Sequence, residues 1–437
     1  MIRASIGRLC RAVAAALVLV QGLVLAGVDE HAARRAHVLG LMDSSSALVL
    51  HSAEVQTRTA DVNHRFRQES NLLYLTGENR PGLTLLLAPR GIHIGDTLAH
   101  IVLFANPAAD DGAVPLRPIA DGITVHSRRF HDVFAPLLPE ISTLYASSFS
   151  PAFMADWLNN KPMFIERESR KELEKKYPNL KVKNASPLVA RARVIKSPWE
   201  VERIRTSIAA TGEGLRKAME LCRPGVREYE LQAAIEYEMM RRGASAPSFP
   251  SIIGSGPNAL ILHYEHNHRT AVGGELVVMD VGAEIEGYAA DITRTIPVSG
   301  TFTSEQKKVY NAVLHAHDSI IANVRAGMPW SDLDKVARRV LAAEGFEKFW
   351  RHSVSHQMGI DVHDVGKMDT LQVGMVFTVE PGVYIPEKDT TVAPRFRGIG
   401  VRIEDDVLVT ERGAVVLSEA IPREIKDIER IMRKPKR

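Results

Sequence analysis

Two patterns of apolar and polar residues divide the chain. From residue 36 to 188, short apolar runs alternate with charged stretches of helical period. Ala47-Leu48-Val49-Leu50, Leu83-Thr84-Leu85-Leu86-Leu87 and His100-Ile101-Val102-Leu103-Phe104 read as buried strands of a sheet. Ser169 to Tyr177 reads as a charged helix stopped by Pro178. A new segment opens at Lys196-Ser197-Pro198-Trp199-Glu200, where Ser197 and Pro198 suit a helix N-terminus. Beyond it the spacing predicts helices over 201–221, 229–242, 304–324 and 331–344, with strands between them. No short-period repeat and no low-complexity tract interrupts this order.

A length of 437 residues is too great for one ordinary core, and the pattern places the boundary at 193/194, giving domains 29–193 and 194–437. Hydrophobic content of 45% and charged content of 24% suit a soluble globular protein. The net charge of +3 comes from scattered residues, so nucleic acid is not an expected partner. The basic run from Arg430 to Arg437 reads as a solvated tail. At the other end, Arg3, Arg8 and Arg11 precede an apolar run from Ala12 to Gly27, with no acid before Asp29. That is the layout of a secretory signal over 1–28, with Val24-Leu25-Ala26 as the cleavage site, and it predicts export to a periplasmic or extracellular space. An uncleaved anchor and a mitochondrial presequence are the alternatives; after cleavage no stable membrane association is expected. Cleavage would leave Cys222 alone and exclude an internal disulfide.

The candidate chemistry lies in the second half. Leu276-Val277-Val278-Met279 and Ile292-Thr293-Arg294-Thr295-Ile296 read as paired strands, with Glu286-Gly287 supplying the turn. A hairpin turning about Ile285-Glu286 would set Asp280 directly opposite Asp291. Opposed carboxylates with Cβ atoms roughly 4.5–5.5 Å apart repel, and a cation between them removes the conflict. Two solvated aspartates on an exposed hairpin are the plain alternative. Three further residues weigh against it. Met375 to Gly382 reads as a buried strand carrying Glu380, and Val401 to Val409 as another carrying Glu404. An isolated charge in an apolar strand is costly unless paired or bound to metal. His356 adds an imidazole, one of three histidines between 352 and 363. Four carboxylates and one imidazole suit two hard or borderline divalent ions such as manganese, cobalt, zinc or iron, and a thiolate zinc site is excluded by the cysteine count.

Other motifs weigh less. Gly254-Ser255-Gly256-Pro257-Asn258-Ala259 imitates a dinucleotide fingerprint but reads as a turn, because Pro257 interrupts it. His352 and His356 have four-residue spacing without a glutamate after the first, so the zinc-protease helix motif is absent. No Gly-x-Ser-x-Gly elbow is present. His263 follows an apolar pair next to an expected site wall, whereas His266 and His268 read as exposed loop residues.

The chain resembles the aminopeptidase P family, the Xaa-Pro aminopeptidases among the pita-bread metallopeptidases. The resemblance is carried by Phe66-Arg67-Gln68-Glu69-Ser70 and Tyr74-Leu75-Thr76-Gly77 in the first domain. In the second it is carried by Ile261-Leu262-His263-Tyr264, the aspartate hairpin, Ser355-His356, Asp361-Val362-His363-Asp364-Val365-Gly366, Val379-Glu380-Pro381-Gly382 and Arg397 to Asp405. Ser353-Val354 departs from the family pattern, where a glycine often follows the first histidine. The resemblance implies an α/β N-terminal domain (mixed sheet with flanking helices). It also implies an α+β pita-bread catalytic domain with a pseudo-twofold antiparallel sheet. It further implies that Asp291 and Glu404 bridge two divalent ions, that Asp280 completes one, and that His356 and Glu380 complete the other. Manganese is the first expectation, with cobalt or zinc as alternatives. His263 and His363 would donate to the developing oxyanion and to the substrate, Glu380 would shuttle a proton, and His352 and Arg402 would orient substrate or ligands. The expected substrate is a peptide with proline in second position, cleaved before that proline by a metal-bridging hydroxide; a prolidase restricted to Xaa-Pro dipeptides is the alternative. A homo-oligomer, dimer or tetramer, is the implied assembly.

Overall fold

The computed structural model describes residues 30–106, 116–146, 173–366 and 369–433. The expected signal segment, the start of the expected helix at 169–177 and the last residues of the basic tail lie outside them. The chain divides into two compact units between Ala192 and Arg193.

In the first unit a helix over 30–40 (α1) precedes a six-stranded mixed sheet. Its strands are Ser46–His51 (β1), Thr84–Ile94 (β2), Thr97–Ala105 (β3), Ile123–His126 (β4), Thr143–Ala146 (β5) and Lys181–Asn184 (β6). Their spatial order is β4-β3-β2-β1-β5-β6, with antiparallel pairing in the centre and parallel pairing towards both edges. Each of the three expected strands lies within or largely within one of these. All six residues of β1 are buried, which accounts for an apolar run without alternation. The helix Phe130–Leu137 (α3) packs Phe130 against Phe104 and Phe134, with ring centroids 5.0 and 4.9 Å apart. Such aromatic pairs add about 0.5–1.5 kcal/mol each beyond the area they bury. Between β1 and β2, the helix Ser70–Thr76 (α2) starts where the Glu69 carboxylate accepts the Leu72 N–H at 2.7 Å. It stops where Gly77 takes a left-handed φ of 71°.

The second unit repeats one plan twice: a pair of helices, then a broken hairpin. The first pair is Pro198–Leu221 (α4) and Glu228–Arg241 (α5); the second is Ser304–Asn323 (α6) and Ser331–Ala343 (α7). These differ from the expected helices only by a few terminal residues. Ser197 and Glu200 form a reciprocal capping box that sets the start of α4, with Pro198 inside the first turn. In the second half, Ile320, Leu333 and Ala337 from α6 and α7 pack on Phe377, Val379, Val407 and Val409 from the strands.

The aspartate hairpin has a different register from the expected one. Its strands are Leu276–Val281 (β7), Ala283–Ile285 (β8), Tyr288–Ala289 (β9) and Ile292–Pro297 (β10). Ile285 pairs with Tyr288, and the turn is Glu286-Gly287, with φ of 52° and 82°. A two-residue hairpin turn with both φ values positive tolerates Glu-Gly better than one centred on β-branched Ile285. Asp280 therefore pairs with Thr293, not with Asp291. The offset of two residues preserves the side-chain alternation, so the aspartates remain on one face as diagonal neighbours, roughly 7–8 Å apart by Cα. Asp291 falls in a break between β9 and β10, opposite Gly282. A Cβ built on Gly282 would overlap the carbonyl oxygen of Ala290, so this crossing requires glycine.

The two expected glutamate strands are also broken. Val376–Val379 (β11) and Gly382–Tyr384 (β12) flank Glu380-Pro381, and Gly400–Arg402 (β13) and Asp405–Thr410 (β14) flank Ile403-Glu404. Val379 pairs with Asp405 and Gly382 with Arg402, which leaves Glu380 and Glu404 facing each other across the gap. Pro381 brings no N–H to a ladder, so a continuous strand is not available there.

Candidate metal centre

The breaks in both hairpins aim their carboxylates at one cavity. Asp280, Asp291, His356, Glu380 and Glu404 line it, together with His263 and His363, and its volume is about 220 Å³. One ligand atom from each of Asp291, His356 and Glu404 can be chosen so that all lie within 4.8 Å of one another. The Nε2 of His356 is 3.3 Å from Asp291 Oδ2 and 3.5 Å from Glu380 Oε1. Its Nδ1 lies 3.2 Å from the Gln357 carbonyl, which accepts the ring N–H and leaves the Nε2 lone pair directed at the carboxylates.

The electrostatics of this cluster call for a cation. Burial first, then the charges of Glu404 and Asp280, pushes the Asp291 carboxyl well above its ordinary range. Burial first, then Glu380 and Asp280, does the same to Glu404. Burial raises Glu380 to about 8, and Asp280 adds to the shift against the opposing charge of Arg402. Burial and the neighbouring His363 hold His356 down at about 4, so its imidazole is neutral and free to ligate. Asp280 Oδ2 accepts a 2.7 Å bond from Arg402, yet its Oδ1 is buried with no hydrogen-bond partner among the described residues. Crowded carboxylates, a neutral imidazole and an orphaned carboxylate oxygen fit divalent metal ions.

His352 and Arg402 occupy a different position. Neither lines the cavity. Arg402 is 3% exposed and donates to Asp280, to Thr293 Oγ1 at 3.1 Å and to the Tyr384 hydroxyl at 2.8 Å. The Tyr384 hydroxyl in turn lies 2.8 Å from His352 Nε2. Because the Ser353 carbonyl accepts from His352 Nδ1 at 2.8 Å, Nε2 is the acceptor of the Tyr384 hydroxyl. The loop with His363 is fixed by Asp364, which accepts from Lys196 at 3.0 Å and from Arg193.

Several residues that shape the site carried no clear signal in the sequence. Thr293 donates to Glu404 Oε2 at 2.7 Å, and its place opposite Asp280 depends on the register. Tyr384 is one aromatic residue in an apolar strand. Asp406 accepts the Asp291 N–H at 3.2 Å. Arg294 uses all three of its nitrogens, bonding the carbonyls of Thr293, Glu404, Ile421 and Pro422 and the Asp405 carboxylate. The one available hint was that Asp405 and Asp406 follow Glu404 directly within an apolar run.

Comparison with known proteins agrees with this geometry. Residues 202–411 match metallopeptidase family M24, and residues 31–114 match the aminopeptidase P N-terminal domain. The chain is 33% identical to the Xaa-Pro aminopeptidase of Haemophilus influenzae over 437 residues, covering 92% of this chain and 97% of that protein. It is likewise 33% identical to the Xaa-Pro aminopeptidase of Escherichia coli, with coverage of 92% and 97%. The solved structure of aminopeptidase P from E. coli with the inhibitor Pro-Leu superposes with a TM-score of 0.82 at 30% identity, covering 93% of this chain and 98% of that one. With two domains, a largely buried carboxylate–imidazole centre and similarity along nearly its whole length, the chain belongs to the Xaa-Pro aminopeptidase family of the M24 metallopeptidases and is a metallo-exopeptidase.

Proposed function

We propose that this metallo-exopeptidase releases the first residue of peptides with proline in second position, and that it does so with two divalent ions. Asp291 and Glu404 would bridge the ions, Asp280 would complete one set, and His356 and Glu380 the other. The observation that carries this reading is the convergence of all five side chains on one cavity, with a buried Asp280 oxygen left without a hydrogen-bond partner. When bound, the ions supply a hydroxide nucleophile at neutral pH and positive charge beside the attacked carbonyl. Manganese is the first expectation, with cobalt or zinc as alternatives that the same donors accept.

The side chains do the rest. His263 and His363, on the cavity wall, donate to the carbonyl oxygen as it gains charge and hold the peptide in register. Glu380 moves a proton to the leaving proline nitrogen. Arg402 orients Asp280 and, with His352, fixes the Tyr384 hydroxyl between them, so both act through other residues. Residues 1–28 would direct the protein to an exported location, and self-association as a dimer or tetramer completes the proposal.

The test is hydrolysis of an Arg-Pro-Pro tripeptide and an Arg-Pro dipeptide by protein stripped with a chelator and reloaded with manganese. Release of the first residue from the tripeptide, abolished by chelator and restored by metal, is expected. Cleavage of the dipeptide alone would replace the reading with a prolidase. Cleavage of neither would overturn it.

A further inference from the structure

We propose that Glu265 makes this cavity select peptides that carry a basic side chain beside the Xaa-Pro bond. The proposal rests on the reading of the cavity as the peptide site. With two divalent ions bound, the charges of Asp280, Asp291, Glu380 and Glu404 are balanced, and a neutral imidazole adds nothing. The remaining wall is His263 and His363, the apolar Phe249, Pro250, Ile252 and Val362, and Glu265. Glu265 is then the acid of the lining that stands outside the ligand set, and a cation arriving with the substrate is its natural partner.

The backbone presents Glu265 in a fixed position. Its loop is pinned at two buried residues, Tyr264 and Asn267. The Tyr264 hydroxyl donates to Glu228 Oε2 at 2.9 Å. Glu228 is fully buried and also accepts from the backbone N–H groups of Ser255 at 2.7 Å and Arg269 at 2.9 Å, tying both ends of the loop to the start of α5. Asn267, at a left-handed φ of 49°, donates to the Ser251 carbonyl at 2.7 Å and accepts from the Ile253 N–H at 3.0 Å. Glu265 itself is exposed, and no hydrogen bond or ion pair engages its carboxylate among the described residues. A fixed, hydrated and unpaired acid at the edge of a reaction cavity gains more from a substrate cation than a mobile one does.

The α-amine of the substrate is the competing cation, present in every peptide. The depth of the two sites separates the cases: Asp280, Asp291 and Glu404 are buried and Glu380 is half-buried, whereas Glu265 is exposed. A long Lys or Arg side chain reaches such an edge, while an α-amine held close to the scissile bond stays with the buried group.

The experiment compares kcat/KM of the metal-loaded enzyme on Ala-Pro-Ala, Arg-Pro-Ala and Ala-Pro-Arg, for the wild type and for Glu265→Gln. Equilibrium binding of reduced-bond analogues of the same peptides is measured alongside. The expected result is a preference of up to roughly fivefold for one of the two Arg peptides, the size of an exposed ion pair. It should appear in binding as well as in KM, weaken with salt and vanish in Glu265→Gln, with Ala-Pro-Ala turned over at the wild-type rate. Equal turnover of all three peptides by the wild type would overturn the proposal. So would an Arg preference that survives in Glu265→Gln, or a uniform loss on all three peptides, which would assign Glu265 to the α-amine. Hydrolysis of Ala-Pro-Ala by the wild type checks the underlying peptidase reading separately.

Discussion

Arg294 and Asp405, neither with any exposed side-chain surface, meet at 2.7 Å behind the ligand cluster. The same guanidinium donates to the backbone carbonyl of Glu404 at 2.6 Å and to that of Thr293 at 2.9 Å. One side chain thus joins the strand that follows Asp291 to the break that holds Glu404.

Removing one partner of this pair leaves the other buried and uncompensated. Asp405→Asn is expected to lower stability by about 3–5 kcal/mol. Urea unfolding of the metal-free protein reads this directly. A loss below about 1 kcal/mol would show that the carbonyl acceptors alone satisfy Arg294.

Asp291→Asn should have the opposite balance of effects. Its carboxylate is crowded by Glu404, Asp280, Asp406 and Glu380, so an amide removes repulsion from the metal-free fold. The metal-free variant is expected to be at least as stable as the wild type, to bind less metal and to lose catalysis. Metal content by elemental analysis, with peptide turnover, checks the pair. Turnover like the wild type would remove Asp291 from the ligand set.

At Gly282 the constraint is steric. A methyl group there meets the Ala290 carbonyl oxygen, backbone that cannot move without moving Asp291 beside it. Gly282→Ala is expected to cost roughly 1–3 kcal/mol and to weaken metal binding at the same time. Thermal melts with and without metal test it: an unchanged metal-induced rise in Tm would mean that the strand shift does not reach Asp291.

In the first unit, burial holds the His51 imidazole down at about 3, against an ordinary value of 6.5. The unfolded chain therefore takes up a proton that the folded one refuses. The neutral imidazole has no such cost above pH 6.5, and stability falls by about 1.4 kcal/mol per pH unit as the pH drops from there towards 3. His31, held at about 4 by burial and the nearby Arg34, acts in the same direction. Replacing His51 with Gln should shift absolute stability but flatten this part of the slope. Unfolding midpoints across pH 4–7 decide it; parallel slopes for the two proteins would mean His51 accepts its proton in the folded state.

The sequence by itself determined the elements and the candidate ligands. Apolar period placed the helices Pro198–Leu221 and Ser304–Asn323 to within a few residues, because a buried helical stripe and its caps are local properties. The expected opposition of two like charges marked Asp280 and Asp291, and an acid inside an apolar run marked Glu380 and Glu404, since each such charge needs a partner. Local pattern did not determine register or the breaks in strands. The Glu286-Gly287 turn moved Asp280 from Asp291 to Thr293, and the gaps at Glu380 and Glu404 replaced continuous strands. Only the tertiary structure decided that Arg402 is buried against Asp280 rather than lining the cavity, and that Arg294, Tyr384 and Glu228 support the site. Those contacts join residues as many as 128 positions apart, as Arg294 and Pro422 are. They depend on which faces the folded elements turn towards one another, a relation that no local window of sequence contains.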